Sequence, residues 1–280
     1  MKGILFFGIF WMISVMCKAQ INIWENTSCH EKVEMTPYLA EGDNNVAMII
    51  CPGGSYFWHD MNTEGHDVAK WLQSNGISAF VLRYRTANVF AFILPYRYFF
   101  RGNRFPDPQN DLRRALSVIR NDSNKHRIDP NKVGVMGFSA GGHLAMYAAE
   151  FLPPKERPSF VALVYPVITM IDYCTHKRSR RALLGENKKN NKELQQSLSL
   201  ERNVPKDCPP VFLVNCKDDP IVKYQNSILL DSALTSNNID HKYILYQTGG
   251  HSFGVSEKKG SSESRQWKDE FIKWLKKYIQ

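Results

Sequence analysis

A chain of 280 residues that is 43% hydrophobic can bury one large core, its 17 glycines and 14 prolines are ordinary frequencies with no long linker or low-complexity tract, and no repeat of 20–50 residues points to a solenoid or propeller. The formal charge of +9, or +7 once Lys2 and Lys18 are set aside with a leader, raises nucleic acid as a partner. The lysines, however, cluster at 188–192 and 273–277 in polar helical stretches without interleaved aromatics, which are solvated helix faces and not a nucleic-acid surface.

The first residues read as a removable leader. Lys2 gives a short positive start, Ile4 to Met16 is apolar, and Cys17-Lys18-Ala19 ends in small residues at its outer positions. Cleavage after Ala19 leaves Gln20 as the new terminus, and the mature chain is expected to be secreted or periplasmic. The run is short for a membrane span and lacks a stop-transfer flank, so no stable membrane insertion is expected. A lipid-modified Cys17 is the lesser alternative, because the bulky Met16 precedes it. Cys29, Cys51, Cys174, Cys208 and Cys216 remain after cleavage, an odd number at irregular spacing and unlike a disulfide framework. Cys51 and Cys216 fall inside expected strands, where buried free thiols are common. No C-x-x-C or H-E-x-x-H spacing occurs, so neither a metal nor another cofactor is expected.

From Trp24 to Tyr38 polar and apolar residues mix, as in strands at a sheet edge. Asn45 to Cys51 is a continuous apolar run, the pattern of a strand buried on both faces. Thr63 to Asp67 opens a helix whose Val68, Ala69, Trp71 and Leu72 share a face, and Asn75-Gly76 closes it. Ile77 to Arg85 is the next strand. Thr86 to Pro108 breaks the regularity with ten large apolar residues, among them Phe90, Phe92, Tyr96, Tyr98, Phe99 and Phe100. It is either a packed surface insertion or a lid bordering a site, since long ordered loops are often functional. Asp107 to Asn121 is a helix, Val133 to Met136 a strand, and His143 to Ala149 a helix. Phe160 to Val167, Pro209 to Cys216 and His241 to Tyr246 are strands, and Ser227 to Leu234 lies in a helix. Asp172 to Arg202 has no strand signal and is expected to form a basic cap of short helices. The last helix carries Trp267, Phe271, Trp274, Leu275 and Tyr278 at a 3.6 period. Strands alternating with helices from end to end specify the α/β class: a mostly parallel sheet covered on both faces.

In such a sheet ligands bind beyond the carboxyl ends of the strands, and four motifs fall there. Gly137-Phe138-Ser139-Ala140-Gly141 joins a strand directly to a helix, the context a nucleophile elbow requires. A serine alcohol is not nucleophilic at neutral pH and needs a base, which in turn needs an acid to fix its tautomer. His251, in Gly249-Gly250-His251-Ser252-Phe253-Gly254 after the last strand, is the candidate base. His143 is its rival, but four residues into the helix it reads as packing. Asp218-Asp219, after the strand ending at Cys216, offers two candidate acids, and the chain order Ser, Asp, His is the one this kind of sheet uses. Pro52-Gly53-Gly54-Ser55 suits an oxyanion loop, with the N–H groups of Gly54, Ser55 and Ala140 as donors.

The stretches PGGSY at 52–56, EGHDVAKWL at 64–72, AFVLRYR at 79–85, GFSAGGHLA at 137–145, PPVFLVNCKDDPIV at 209–222 and GGHSFG at 249–254 together resemble the α/β-hydrolase superfamily. More narrowly they are similar to secreted esterases akin to bacterial acetylxylan esterases and the hormone-sensitive-lipase group. The resemblance implies the α/β-hydrolase fold with a small cap or lid insertion, and Ser139 as nucleophile, His251 as base and Asp219 as acid. Asp219 is preferred to Asp218 because the family's acid precedes a segment like Pro220-Ile221-Val222. Gly53 and Tyr56, flanking the oxyanion donors, are expected to bind substrate. Two departures stand out: relatives often carry a third glycine where this chain has Pro-Gly-Gly-Ser, and 86–108 is longer and more aromatic than usual. The expected activity is hydrolysis of short, chiefly acetyl, esters on xylan or another carbohydrate. A lipase, a peptidase of the same fold and a catalytically silent binding protein are the alternatives.

Overall fold

The computed structural model describes residues 20–279 except 29–30, 43–44, 94–98, 100–101 and 172. The expected leader, Cys29, Asp172 at the start of the basic segment and part of the aromatic insertion therefore lie outside the described residues.

Among the described residues eight strands form one sheet: β1 (Ile21–Asn22), β2 (Glu34–Tyr38), β3 (Ala47–Cys51), β4 (Ser78–Arg83), β5 (Val133–Phe138), β6 (Val161–Val164), β7 (Val211–Cys216) and β8 (His241–Tyr246). Their spatial order is β1-β2-β4-β3-β5-β6-β7-β8. The β1–β2 and β2–β4 pairs are antiparallel, and every pairing from β4 onward is parallel. Within 24–38, expected to form edge strands, the described residues form only β2, with β1 lying just before the stretch. β6 stops at Val164, short of its apolar run, because Tyr165 turns to φ +40°.

The helices follow the strands: α1 (Asp67–Ser74), α2 (Asp107–Asn121), α3 (Ser123–His126), α4 (Ala140–Phe151), α5 (Lys177–Leu184), α6 (Lys192–Ser197), α7 (Gln225–Ser236) and α8 (Trp267–Ile279). Strand side chains alternate between two cores. In β3, Ala47, Ile49 and Cys51 point to the layer containing α2, α4 and α7, while Met48 and Ile50 point to that of α1 and α8. Trp267, Phe271, Trp274 and Leu275 of α8 are buried as their spacing predicts, and Lys273, Lys276 and Lys277 of the same helix are exposed. A buried ion pair anchors α2 to the end of β4: the Asp111 carboxylate, 0% exposed, accepts Arg85 Nη2 at 2.8 Å and Trp24 Nε1 at 2.8 Å.

Residues 177–202 comprise α5, α6 and a short 3-10 turn at Leu200–Arg202. The guanidinium groups of Arg178 and Arg181 stack over the ring of Phe92, at 4.6 and 4.9 Å, so this basic segment packs on the aromatic insertion. Among the described residues no helix is long and apolar enough to cross a membrane. Cys51, Cys174, Cys208 and Cys216 are free and buried, and burial raises each thiol above its ordinary range, Cys216 to about 12.

Candidate active site

Ser139 is the single residue between β5 and α4, held at φ +52° and ψ −116°. A side chain in that region is strained by about 1–3 kcal/mol, so the surroundings must impose it. Its N–H donates to the Val164 carbonyl at 3.1 Å, and its own carbonyl accepts the N–H groups of Gly142 and Val167 at 3.0 Å each. Close approach explains the flanking glycines. A Cβ on Gly137 would run into the Gly141 carbonyl, and one on Gly141 into the Cys51 carbonyl at the end of β3.

The loop after β8 brings His251 back over this turn. Its Nε2 lies 3.1 Å from Ser139 Oγ and its Nδ1 lies 2.6 Å from Asp219 Oδ2. Asp219 follows β7 and its side chain is 0% exposed. The other oxygen, Oδ1, accepts the N–H groups of Ile221 and Val222 at 2.8 and 2.9 Å. With donors on both oxygens the carboxylate is fixed in position, and it holds the proton of His251 on Nδ1. Nε2 is left as an acceptor for the Ser139 hydroxyl, the arrangement general-base activation of a serine needs. Asp218 does something else: it accepts the N–H groups of Gly249 and Gly250, at 3.2 and 2.9 Å, and so anchors the loop that carries the histidine.

The segment after β3 supplies the third component. Gly54, Ser55 and Tyr56 all have positive φ, +136°, +58° and +62°, a tight turn whose first residue has no room for a Cβ against the Trp58 carbonyl. The N–H groups of Gly54 and Ser55, and that of Ala140 at the first turn of α4, donate to no protein acceptor among the described residues. Gly53 and Tyr56, expected to bind substrate, are both buried. The Gly53 N–H is taken by Glu64 Oε2 at 2.8 Å. Tyr56, only 1% exposed, turns inward and donates its hydroxyl to His143 Nδ1 at 2.9 Å. That bond, and Nε2 of His143 on the Leu198 carbonyl at 2.9 Å, make His143 a buried strut below the elbow. Burial pushes its titration down to about 4, so it stays neutral.

Two residues at the site were not singled out from sequence. Glu64, 1% exposed, lies on a widened helical turn, Asn62–His66, that precedes α1. Tyr165, also 1% exposed, follows β6 with its ring centroid 4.5 Å from that of His251. Glu64 falls inside the EGHDVAKWL stretch, where an acid at a helix start is ordinarily only a favourable charge for the helix dipole. Tyr165 reads as one more residue of an apolar strand. Trp58 and Tyr173, on the loops after β3 and β6, are exposed. Among the described residues no cluster of three or more His, Cys, Asp or Glu is arranged to hold a metal ion.

Residues 100–280 match the sequence model of the prolyl oligopeptidase family, and residues 38–152 match the model called BD-FAE. An acetylxylan esterase of Xylanibacter ruminicola is 32% identical over 231 residues, 82% of this chain and 45% of that protein. An endo-1,4-beta-xylanase B of Butyrivibrio fibrisolvens is 31% identical over 253 residues, 84% of this chain and 38% of that protein. The chain thus spans less than half the length of either curated relative. The crystal structure of an acetyl ester-xyloside bifunctional hydrolase from Caldicellulosiruptor lactoaceticus superposes with a TM-score of 0.79 at 31% identity, covering 93% of this chain and 96% of that one. The sheet order, the strand-to-helix turn at Ser139 and these matches lead to one assignment: the chain belongs to the prolyl oligopeptidase family, on the acetylxylan esterase-like side of the α/β hydrolases.

Proposed function

We propose that this protein is a serine carboxylesterase that removes short acyl groups, chiefly acetyl, from carbohydrate. The observation that carries the reading is the continuous relay of Ser139 Oγ, His251 and Asp219 at 3.1 and 2.6 Å. Ser139 Oγ attacks the ester carbonyl while His251 Nε2 takes its proton. Negative charge then develops on the former carbonyl oxygen, for which the N–H groups of Ala140, Gly54 and Ser55 are the donors, each worth about 3 kcal/mol. The tetrahedral adduct collapses as His251 returns the proton to the leaving alcohol, and the acyl group stays on Ser139. A water molecule, deprotonated by His251, releases the carboxylic acid and restores the enzyme. These steps need no metal or cofactor.

The carbohydrate assignment draws on the names of the relatives, an acetylxylan esterase and an acetyl ester-xyloside hydrolase. The leader at 1–19 supports export, which would bring the mature chain to polymeric substrates outside the cytoplasm. A series of p-nitrophenyl esters, followed by acetylated and feruloylated xylan, tests the reading. We expect kcat/KM to be highest for acetate, and acetate to be released from the acetylated polymer. Preference for long acyl chains would instead indicate a lipase. A peptidase is the second reading, favoured by the match of residues 100–280 to the prolyl oligopeptidase model. Turnover of aminoacyl arylamides faster than of acetyl esters would establish it.

A further inference from the structure

Behind the triad lies a buried carboxylate that the steps above do not use. Oε2 of Glu64 accepts the Gly53 N–H at 2.8 Å and Oε1 accepts the Tyr165 hydroxyl at 2.9 Å. The same hydroxyl accepts the N–H of Gly254 at 3.1 Å, three residues beyond His251. One side chain therefore ties together, directly or through a single phenol, the oxyanion segment, the end of β6 and the histidine loop. The packing admits little else. A Cβ on Gly53 would lie 2.5 Å from Glu64 Oε2 and 2.9 Å from Ser139 Cβ, and one on Gly254 would lie 2.5 Å from the Thr63 carbonyl. Glu64 sits on a widened helical turn, a local departure from α geometry that recurs at functional sites.

Two donors meeting two oxygens suit the anion, since neither oxygen needs a proton to be satisfied. Burial raises this carboxyl above its usual range, and His251, the Tyr165 hydroxyl and the Gly53 N–H each pull it back. No lysine or arginine contacts Glu64 among the described residues, so the nearest cation it can meet is His251 once protonated. The groups that face His251 come from several elements. Asp219 is on Nδ1, Asp218 holds the Gly249 and Gly250 N–H groups, and Tyr165 lies against the ring. His176, from the segment before α5, senses both His251 and Asp219. On the Glu64 side, Asp60 adds negative charge, and Lys259 reaches the Thr63 hydroxyl at 3.2 Å.

We propose that Glu64 is a positioning residue for the transfer of the Ser139 proton to His251: it holds Gly53 and the histidine loop in one frame, and its negative charge favours the imidazolium. The proposal rests on the roles given above to Ser139 and His251. It requires that the charge of Glu64, and not only its shape, affect the reaction.

The test is the pH profile of kcat and kcat/KM on p-nitrophenyl acetate for the wild type, Glu64→Gln, Glu64→Asp and Tyr165→Phe, with thermal unfolding measured alongside. Glu64→Gln keeps the shape and loses the charge. Its kcat should fall about 10–100-fold with KM changed less than about 3-fold, and the acid limb should move about 0.5–1 pH unit lower, because free His251 becomes harder to protonate. Glu64→Asp restores the charge and should return the limb toward the wild-type position. Tyr165→Phe cuts the link to the histidine loop and should lower kcat about 5–10-fold while moving the limb less than Glu64→Gln does. A Glu64→Gln protein with an unmoved acid limb would overturn the proposal, whatever its unfolding temperature. Should that variant not fold, a Tyr165→Phe enzyme with wild-type kcat would overturn it equally. A wild-type enzyme with no acid limb, or no turnover, would instead contradict the histidine-base reading itself.

Discussion

At the residue scale, adjacent aspartates divide the work. Asp219 gives one oxygen to His251 and the other to two backbone N–H groups, whereas Asp218 serves only the backbone of the histidine loop. Asp219→Asn should therefore lower kcat on p-nitrophenyl acetate roughly 10³–10⁴-fold, because an amide can donate to Nδ1 and select the wrong tautomer. Asp218→Asn should cost no more than about 10-fold, since its amide oxygen can still accept one of the two N–H groups, and neither bond touches His251 Nδ1. Equal losses in the two variants would refute this division. Position after β7 offered both aspartates, and only the motif resemblance separated them in sequence. The separation comes from the turn at Pro220, which aims the N–H groups of Ile221 and Val222 at Asp219. Tyr56 shows the opposite limit. Its place beside the oxyanion glycines suggested a substrate contact, but φ +62° turns the ring inward to His143.

At the scale of the elements, the fold was legible wherever one residue pattern met one period. The apolar runs that became β3, β5 and β7, and the 3.6-residue spacing of Trp267, Phe271, Trp274 and Leu275, specify their elements without reference to the rest of the chain. The strand ending on Gly-x-Ser-x-Gly located the proposed nucleophile for a similar reason: only glycines allow Cys51, Gly137 and Gly141 to approach as closely as they do. What sequence did not reveal depends on contacts between distant segments. The β6 run continues through Tyr165 as an apolar string, yet the strand stops one residue earlier, because Tyr165 turns to place its hydroxyl between Glu64 and Gly254. The turn at Asn62–His66 carries no periodic signature, so the buried role of Glu64 was invisible until the histidine loop was folded onto it. The stacking of Arg178 and Arg181 on Phe92, which joins the basic segment to the aromatic insertion, is likewise long-range.

At the scale of the whole molecule, the sheet brings together a serine after β5, an acid after β7 and a histidine after β8, and holds the elbow on buried packing that includes a neutral histidine. His143 titrates near 4 in the folded protein against about 6.5 when unfolded, so the unfolded chain binds the extra proton first. Stability should fall as pH drops from about 6.5 toward 4, by about 2 kcal/mol at pH 5 from this group alone. Urea unfolding at pH 7 and pH 5 checks this: His143→Gln should be less stable at neutral pH but should lose less on acidification. An equal loss in both proteins would show that His143 does not carry the effect. In the proposed mechanism activity depends on a different histidine, His251, and the two can be separated because one is read by unfolding and the other by reaction at Ser139. The most direct test of the proposed nucleophile is mass spectrometry after treatment with a fluorophosphonate at pH 8 and pH 5, in the wild type and Ser139→Ala. A single adduct on the peptide containing Ser139, formed more slowly in acid and absent from the variant, is expected; no adduct in the folded wild type, or equal labelling of Ser139→Ala, would contradict the triad.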